Sequence, residues 1–333
     1  MDGLTADLAS ARVTPGDEGP RPFFEGVGGA LQDANSRLAL PEKLFELEQL
    51  DVLYDPAAQT LWTYMRPSGR PSFTPALLDE FEAWQKLIRE GFGPTKTNLK
   101  FLILGSRVPG VFCFGGDLDL FHGLIRSGDR KGLLRYGYRC VEILYRNLHA
   151  LGLPIVTVGL VQGAALGGGF EALLSFDHLI AERSATFALP EVVFGLFPGM
   201  GAHALLSRKL GSAMADRMIL SSKTYTAEEM YDLGVVHEVV EVGEGLEAAR
   251  SFVARTGSHI AGFHGAKAAM RESCAVTLGE LKRIVGRWAD SALQLQEADL
   301  KLMEKLVAAQ LRKMSRATPS RQRAACAAMI GTG

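Results

Sequence analysis

Cysteine is scarce in this 333-residue chain: four residues, at 113, 140, 274 and 326, with no CxxC pair. That excludes a disulfide framework and a cysteine-rich metal site, and reads as reduced thiols in a cytoplasmic protein. An excess of charge of either sign is also missing, since 36 Lys+Arg oppose 37 Asp+Glu for a net charge of -1. No general field is present to hold nucleic acid or an acidic membrane surface. The seven histidines show no ligand spacing beside acids or cysteines, so no metal is expected. The G-x-S-x-G elbow, the HExxH pair and the Walker A sequence are all absent. A secretion signal is lacking too, because "MDGLTADLASARVTPGDEGP" is acidic and carries no apolar core.

One uncharged run, residues 151–170, is long enough to raise a membrane span, and Gly159, Gly163 and Gly167 even show GxxxG spacing. Its β-branched Ile155-Val156-Thr157-Val158, Pro154 and the glycines at its end are poor material for a continuous helix. A buried strand running into a glycine loop fits better.

What is present favours a globular α/β protein. Hydrophobic residues make up 47% and charged residues 22%, enough for a substantial core. Residues 1–40, rich in Gly, Pro, Asp and Ala, read as a mobile N-terminal extension. "DVLYDPAAQTLWTYM" predicts a hairpin around Asp55-Pro56-Ala57-Ala58. "TPALLDEFEAWQKLIREGF" predicts a helix, with Leu77, Leu78, Phe81, Trp84, Leu87 and Ile88 on one face and Thr74-Pro75 as cap and first turn. Strand, loop and helix then alternate through 41–265, and 266–333 reads as a helical segment with a basic, weakly structured tail.

Two glycine turns stand out, Phe114-Gly115-Gly116 and Gly167-Gly168-Gly169, each following a predicted strand and opening a predicted helix. Glycine lets the backbone present its N–H groups without an intervening Cβ, and a helix start adds unpaired amides. Amides converging from two such turns suit the developing charge on an enolate or tetrahedral oxygen. Glu171 lies one turn into the second helix. Glu191, twenty residues on, follows Pro190 among Phe187, Leu189, Val192, Val193 and Phe194. Two carboxylates in apolar surroundings resist losing both protons, which suits one acid and one base near neutral pH. Separately, each turn is an ordinary strand-to-helix connection and each glutamate an ordinary cap or ion-pair partner; it is the combination that points to catalysis. Gly167-Gly168-Gly169-Phe170-Glu171-Ala172 also satisfies G-x-G-x-x-A, with Glu191 where a ribose-binding acid would stand. A dinucleotide site, however, would put the Glu171 carboxylate near a pyrophosphate and leave the first glycine turn unused.

The stretches "FCFGGDL", "VQGAALGGGFEALLSFDHLIAE", "FALPEVVFGLFPGMGA" and "AKAAM" resemble the crotonase (enoyl-CoA hydratase/isomerase) superfamily over about residues 52–267. Within it, "FGGDLDLF", "GGGFEALLS" and "LPEVVFGLFPGMGA" look most similar to diffusible signal factor synthases, which make cis-2-unsaturated fatty acids used in quorum sensing. The resemblance implies a crotonase (ClpP-like) fold of stacked ββα turns, with a C-terminal helical segment mediating trimer or hexamer contacts. It implies Glu171 and Glu191 as the catalytic pair, and the amides of Phe114 and Gly168 as the oxyanion hole. The implied substrate is a medium-chain 3-hydroxyacyl thioester on acyl carrier protein, dehydrated and then hydrolysed to a free acid; the alternative is a degradative hydratase or isomerase acting on coenzyme A esters. No cofactor is expected beyond the thioester carrier, and a regulatory protein partner is conceivable for the extension. Phe194, Phe197 and Met200 are the expected walls of an acyl pocket. Phe114 departs from ordinary hydratases, which carry a smaller residue there.

Overall fold

A computed structural model describes residue 38 and residues 40–317. The expected N-terminal extension falls almost wholly outside these residues, as does the tail from 318 with Cys326.

The chain enters through the expected hairpin. Strands β1 (Leu50–Asp55) and β2 (Thr60–Met65) pair antiparallel from Leu50 opposite Met65 to Asp55 opposite Thr60. Asp55 shapes the turn by accepting from the amides of Ala57 and Ala58 at 2.9 and 3.0 Å, the local bond that favours aspartate in turns. Helix α1 (Pro75–Gly91) starts where the sequence predicts: Thr74 Oγ1 accepts from Leu77 N at 3.2 Å and Pro75 takes the first position. Its buried face carries Leu77, Leu78, Phe81, Trp84 and Ile88.

Three strand–strand–helix turns follow. The first joins β3 (Phe101–Ser106), β4 (Val111–Cys113) and α2 (Leu118–Arg126), with α3 (Arg130–Leu148) appended. The second joins β5 (Val156–Val161), β6 (Ala164–Leu166) and α4 (Gly168–Leu173). The third joins β7 (His178–Glu182), β8 (Thr186–Ala188) and a single 3-10 turn, Glu191–Phe194. First strands enter one sheet and second strands another. The larger sheet runs β1-β2-β3-β5-β7-β10, parallel from β2 onward, with β10 at Glu238–Val240. The smaller runs β4-β6-β8-β9, where β9 is Tyr225–Thr226 and pairs antiparallel with β8. Strand β5 is buried along its whole length, as a parallel strand covered on both faces must be. The uncharged run at 151–170 is therefore strand, turn and helix start. Among the described residues, no helix is long and apolar enough to cross a membrane.

Because β4, β6 and β8 lie side by side, the segments leaving them emerge together. These are the two glycine turns and Pro190-Glu191. Stacking thus brings together pieces separated by about 20 to 75 positions.

The chain continues through α5 (Ala202–Leu210), α6 (Ser212–Ser221), α7 (Ala227–Asp232), α8 (Gly245–Gly257) and α9 (Ile260–Ser273). Thr226 and Glu229 close a full capping box on α7. The boundary read at 265 falls within α9. Helices α10 (Leu278–Ala292) and α11 (Glu297–Ala317) fold back on the chain's own core, where Leu281, Val285, Trp288, Leu300 and Met303 join the cluster containing Phe112, Leu133 and Phe170.

Candidate active site

The two glycine turns are packed on each other, backbone to backbone. Gly115 has φ +90°, and a Cβ there would stand 2.6 Å from Gly168 N and 2.7 Å from Leu166 O. A Cβ on Gly169 would meet Cys113 O at 2.4 Å. Only glycine permits this approach, which is the physical reason for the Gly-Gly and Gly-Gly-Gly runs. Gly168 opens α4, so its amide has no acceptor within the helix.

Glu171 is on the first turn of α4 and is 1% exposed. Its Oε1 accepts from Met200 N at 2.8 Å and Ala202 N at 2.9 Å. These amides belong to the Pro198–Gly201 turn and to the first residue of α5 behind it, and the turn's sharp course rests on Gly201 at φ +128°. Burial pushes the Glu171 carboxyl up from 4.5 to about 7, and the amides of Ala202, Met200 and Gly201 restrain the rise. Glu191 begins the 3-10 turn behind Pro190. Its Oε1 lies against Gly167, 2.6 Å from where a Cβ would stand, and its Oε2 is buried with no hydrogen-bond partner. Burial first, and the neighbouring Glu171 charge second, hold this carboxyl well above the usual range. The pair thus retains a proton near neutrality, and Glu191, restrained only by its own amide where Glu171 has three, holds it the more firmly.

A stability signature follows from the raised Glu171 value. A carboxyl whose folded pKa lies above its unfolded one contributes stability below about pH 4.5 that is lost as pH rises toward 7. Gln does not titrate. The stability of Glu171→Gln relative to the native chain is therefore expected to climb as pH rises from about 4.5 toward 7. Urea unfolding of both proteins across that range checks it; a constant difference would refute the raised value.

Both glutamates, Gly168, Met200 and Phe194 line one cavity of about 260 Å³. Two expectations need correction. Phe197 is not among the lining residues; its ring packs edge-on against His203 at 5.5 Å, because the turn after the 3-10 segment directs it away. Phe114 does line the cavity, but its amide donates to Pro71 O at 2.7 Å and is occupied within the fold. The neighbouring Gly116 lines the same cavity, and a Cβ on Gly168 would lie 3.4 Å from the Gly116 N. Gly116 and Gly168 therefore line the cavity next to each other. Val193, read as part of the apolar shell of Glu191, is half-exposed.

Several cavity residues carry no local sequence signal. Phe121 on α2 packs edge-on at 5.0 Å against both Tyr136 on α3 and Trp288 on α10, forming an aromatic wall. Tyr136 is fixed by donating to Phe73 O at 2.6 Å and accepting from Asp117 N at 3.2 Å. Val285 and Leu306 extend the wall from α10 and α11. The sequence predicts 266–333 to be helical, but not what those helices cover. Among the described residues, no group of three His, Cys, Asp or Glu side chains is placed to hold a metal. With Glu191 seated on Gly167 itself, the glycine triplet is filled by a carboxylate, which conflicts with the dinucleotide reading.

Two stacked sheets, a glycine-lined cavity and a buried glutamate pair define a crotonase-fold protein, and comparison with known proteins agrees. A family model described as enoyl-CoA hydratase/isomerase matches residues 63–283, well over half of the chain, and the chain belongs to that family. It is 34% identical over 152 residues to the Arabidopsis thaliana protein named "Probable enoyl-CoA hydratase 2, mitochondrial", covering 45% of this chain and 48% of that one. The crystal structure of an enoyl-CoA hydratase from Bacillus halodurans superposes with a TM-score of 0.64 at 21% identity, covering 78% of this chain and 100% of that one. Human mitochondrial delta3-delta2-enoyl-CoA isomerase superposes with a TM-score of 0.63 at 19% identity, covering 79% and 99%. At such identities the superpositions establish the fold. The chain spans about half or less of the length of the curated relatives it matches.

Proposed function

We propose that this chain is a hydratase-type lyase that adds water to, or removes it from, the C2–C3 bond of a medium-chain acyl thioester. The observation that carries this is a pair of glutamates with buried carboxyls, delivered by two different elements to one cavity that Gly116 and Gly168 also line. The thioester carbonyl oxygen accepts from the Gly168 amide, with Gly116 alongside, so that charge developing on the oxygen meets preorganised donors. Glu171, whose carboxylate is supported by two amides, is the base. Glu191, which holds its proton more firmly, is the acid. In hydration, Glu171 takes a proton from water as the water oxygen bonds to C3, and Glu191 gives its proton to C2. In dehydration the same transfers run backward. These steps need no metal or cofactor beyond the carrier of the acyl group. The names of the relatives, which are enoyl-CoA hydratases and related proteins, favour coenzyme A esters.

A second reading is a signal synthase acting on an acyl carrier protein thioester, in which hydrolysis of the enoyl product frees a cis-2-enoic acid. Phe114 favours it, since this residue lines the cavity at the position where the sequence departs from ordinary hydratases. Matched 3-hydroxydecanoyl thioesters of coenzyme A and of acyl carrier protein, followed by mass spectrometry, separate the two. Accumulation of enoyl-CoA with the thioester intact supports the hydratase. Free enoic acid from the carrier-protein substrate supports the synthase. An unchanged substrate in both incubations rejects the two together.

A further inference from the structure

A second chamber adjoins the catalytic cavity at Met200. It measures about 50 Å³ and is walled by apolar side chains, among them Leu78, Trp84, Phe112, Leu144 and Phe176. At about 10–15 Å³ for each water-sized group, it has room for roughly three to five of them. Its polar residues are engaged by the protein: Gln85 Nε2 donates to Ile143 O, and Asn147 Nδ2 to Ser175 Oγ, both at 2.9 Å. Asn147 Oδ1 is left as a buried, unpaired acceptor. Among the described residues, Met200 is the one that lines both spaces.

The local structure makes Met200 a partition with a fixed base and an adjustable tip. Its amide is tied to Glu171 Oε1, and its sulfur lies over Gly168, 2.6 Å from where a Cβ would stand. The thioether side chain has three rotatable bonds and adapts to the space offered. On the other side of the partition, successive residues of α4 divide the two spaces: Glu171 lines the catalytic cavity and Ala172 the second chamber. We propose that Met200 closes an acyl-tail chamber adjoining the catalytic cavity, and that the residue at 200 sets the longest chain the site accepts. The proposal rests on the acyl-thioester reading above. With Met200 in place, an unbranched tail is confined to the catalytic cavity. With a small residue there, the tail runs past Gly168 into the apolar chamber.

The test is a chain-length series of 2-enoyl-CoA substrates, with the matching saturated acyl-CoAs as non-reacting ligands. Met200→Ala is expected to raise the C12-to-C6 ratio of kcat/KM, and of binding constants, by at least about tenfold, the burial of roughly two further methylenes. The milder Met200→Val should give a smaller shift in the same direction. Ala172→Leu, which fills the chamber from α4, should return the Met200→Ala ratio to the native value. Ratios that do not move in folded Met200 variants overturn the proposal. So does a gain that Ala172→Leu fails to reverse, because the extra carbons then lie elsewhere. If the native protein binds the saturated ligands but turns over no enoyl-CoA, the hydration reading falls, and the binding ratios alone decide the partition. Failure of the native chain to bind any acyl-CoA overturns both.

Discussion

Replacing Glu191 with Gln is expected to cut turnover of a 2-enoyl-CoA by about 10²- to 10⁴-fold with the fold intact, the range usual for losing a positioned acid or base. Glu171→Gln should cost as much. Gln is the informative replacement at 171, because it keeps an oxygen to accept from Met200 N and Ala202 N. Alanine would leave both buried amides without a partner, each at about 1–3 kcal/mol, and confound catalysis with stability. At 191 the argument differs. Oε2 has no partner to lose, and Gln is as neutral as the protonated acid it replaces, so stability should be left unchanged even as turnover collapses. The double variant should be scarcely slower than either single one, since the two side chains handle the proton inventory of a single step. Steady-state kinetics beside circular dichroism settle the matter. Native turnover in either folded variant would remove the acid–base assignment.

Gly115→Ala is expected to be the most damaging single methyl group at the site. At φ +90° an L side chain is strained by about 1–3 kcal/mol before any contact is considered. The added Cβ would then press on Gly168 N and Leu166 O, backbone atoms held by α4 and β6 that have no rotamer to yield. The two glycine turns must part, and the Gly116 and Gly168 amides part with them. Loss of several kcal/mol of stability and of at least about 10²-fold in turnover should appear together, the latter matching the loss of an oxyanion donor. Gly152→Ala is the control: it also has positive φ (+72°) but nothing within 4 Å of the added Cβ, so it bears the backbone strain alone. Thermal unfolding and turnover of both variants provide the comparison. Equal effects would show that packing of the turns on each other is unimportant.

The parts of the site legible in the sequence are those with a local cause. The Gly115-Gly116 and Gly167-Gly168-Gly169 runs mark places where backbone meets backbone, and that demand is written in the residues themselves. A glutamate one turn beyond such a run, and another behind Pro190 in apolar company, are recognisable because charge in those surroundings is costly. The hairpin at Asp55 and the cap at Thr74 were readable for the same reason: each is made by a side chain reaching two or three residues along its own chain.

The errors have the opposite character. Phe197 is apolar and close to the Pro198 turn, yet composition says nothing about direction, and its ring turns toward His203. The Phe114 amide is occupied by Pro71 O, 43 positions upstream, a bond no local pattern announces. The helical character of 266–333 is legible in the sequence. That Trp288, Val285 and Leu306 wall the candidate cavity depends on how those helices fold back.

Residue type and short-range spacing by themselves determined that this chain forms an α/β core, that two glycine turns present backbone amides, and that two glutamates sit in apolar company at a cost. Tertiary structure alone decided that the Phe114 amide is taken by Pro71 O, which helices close the cavity and where Met200 stands between two chambers. The reason is the range of the forces involved. Backbone strain, capping and solvation act over a few residues and leave their mark in the local sequence, whereas the partner of an amide or the far wall of a cavity is chosen only when distant strands have stacked.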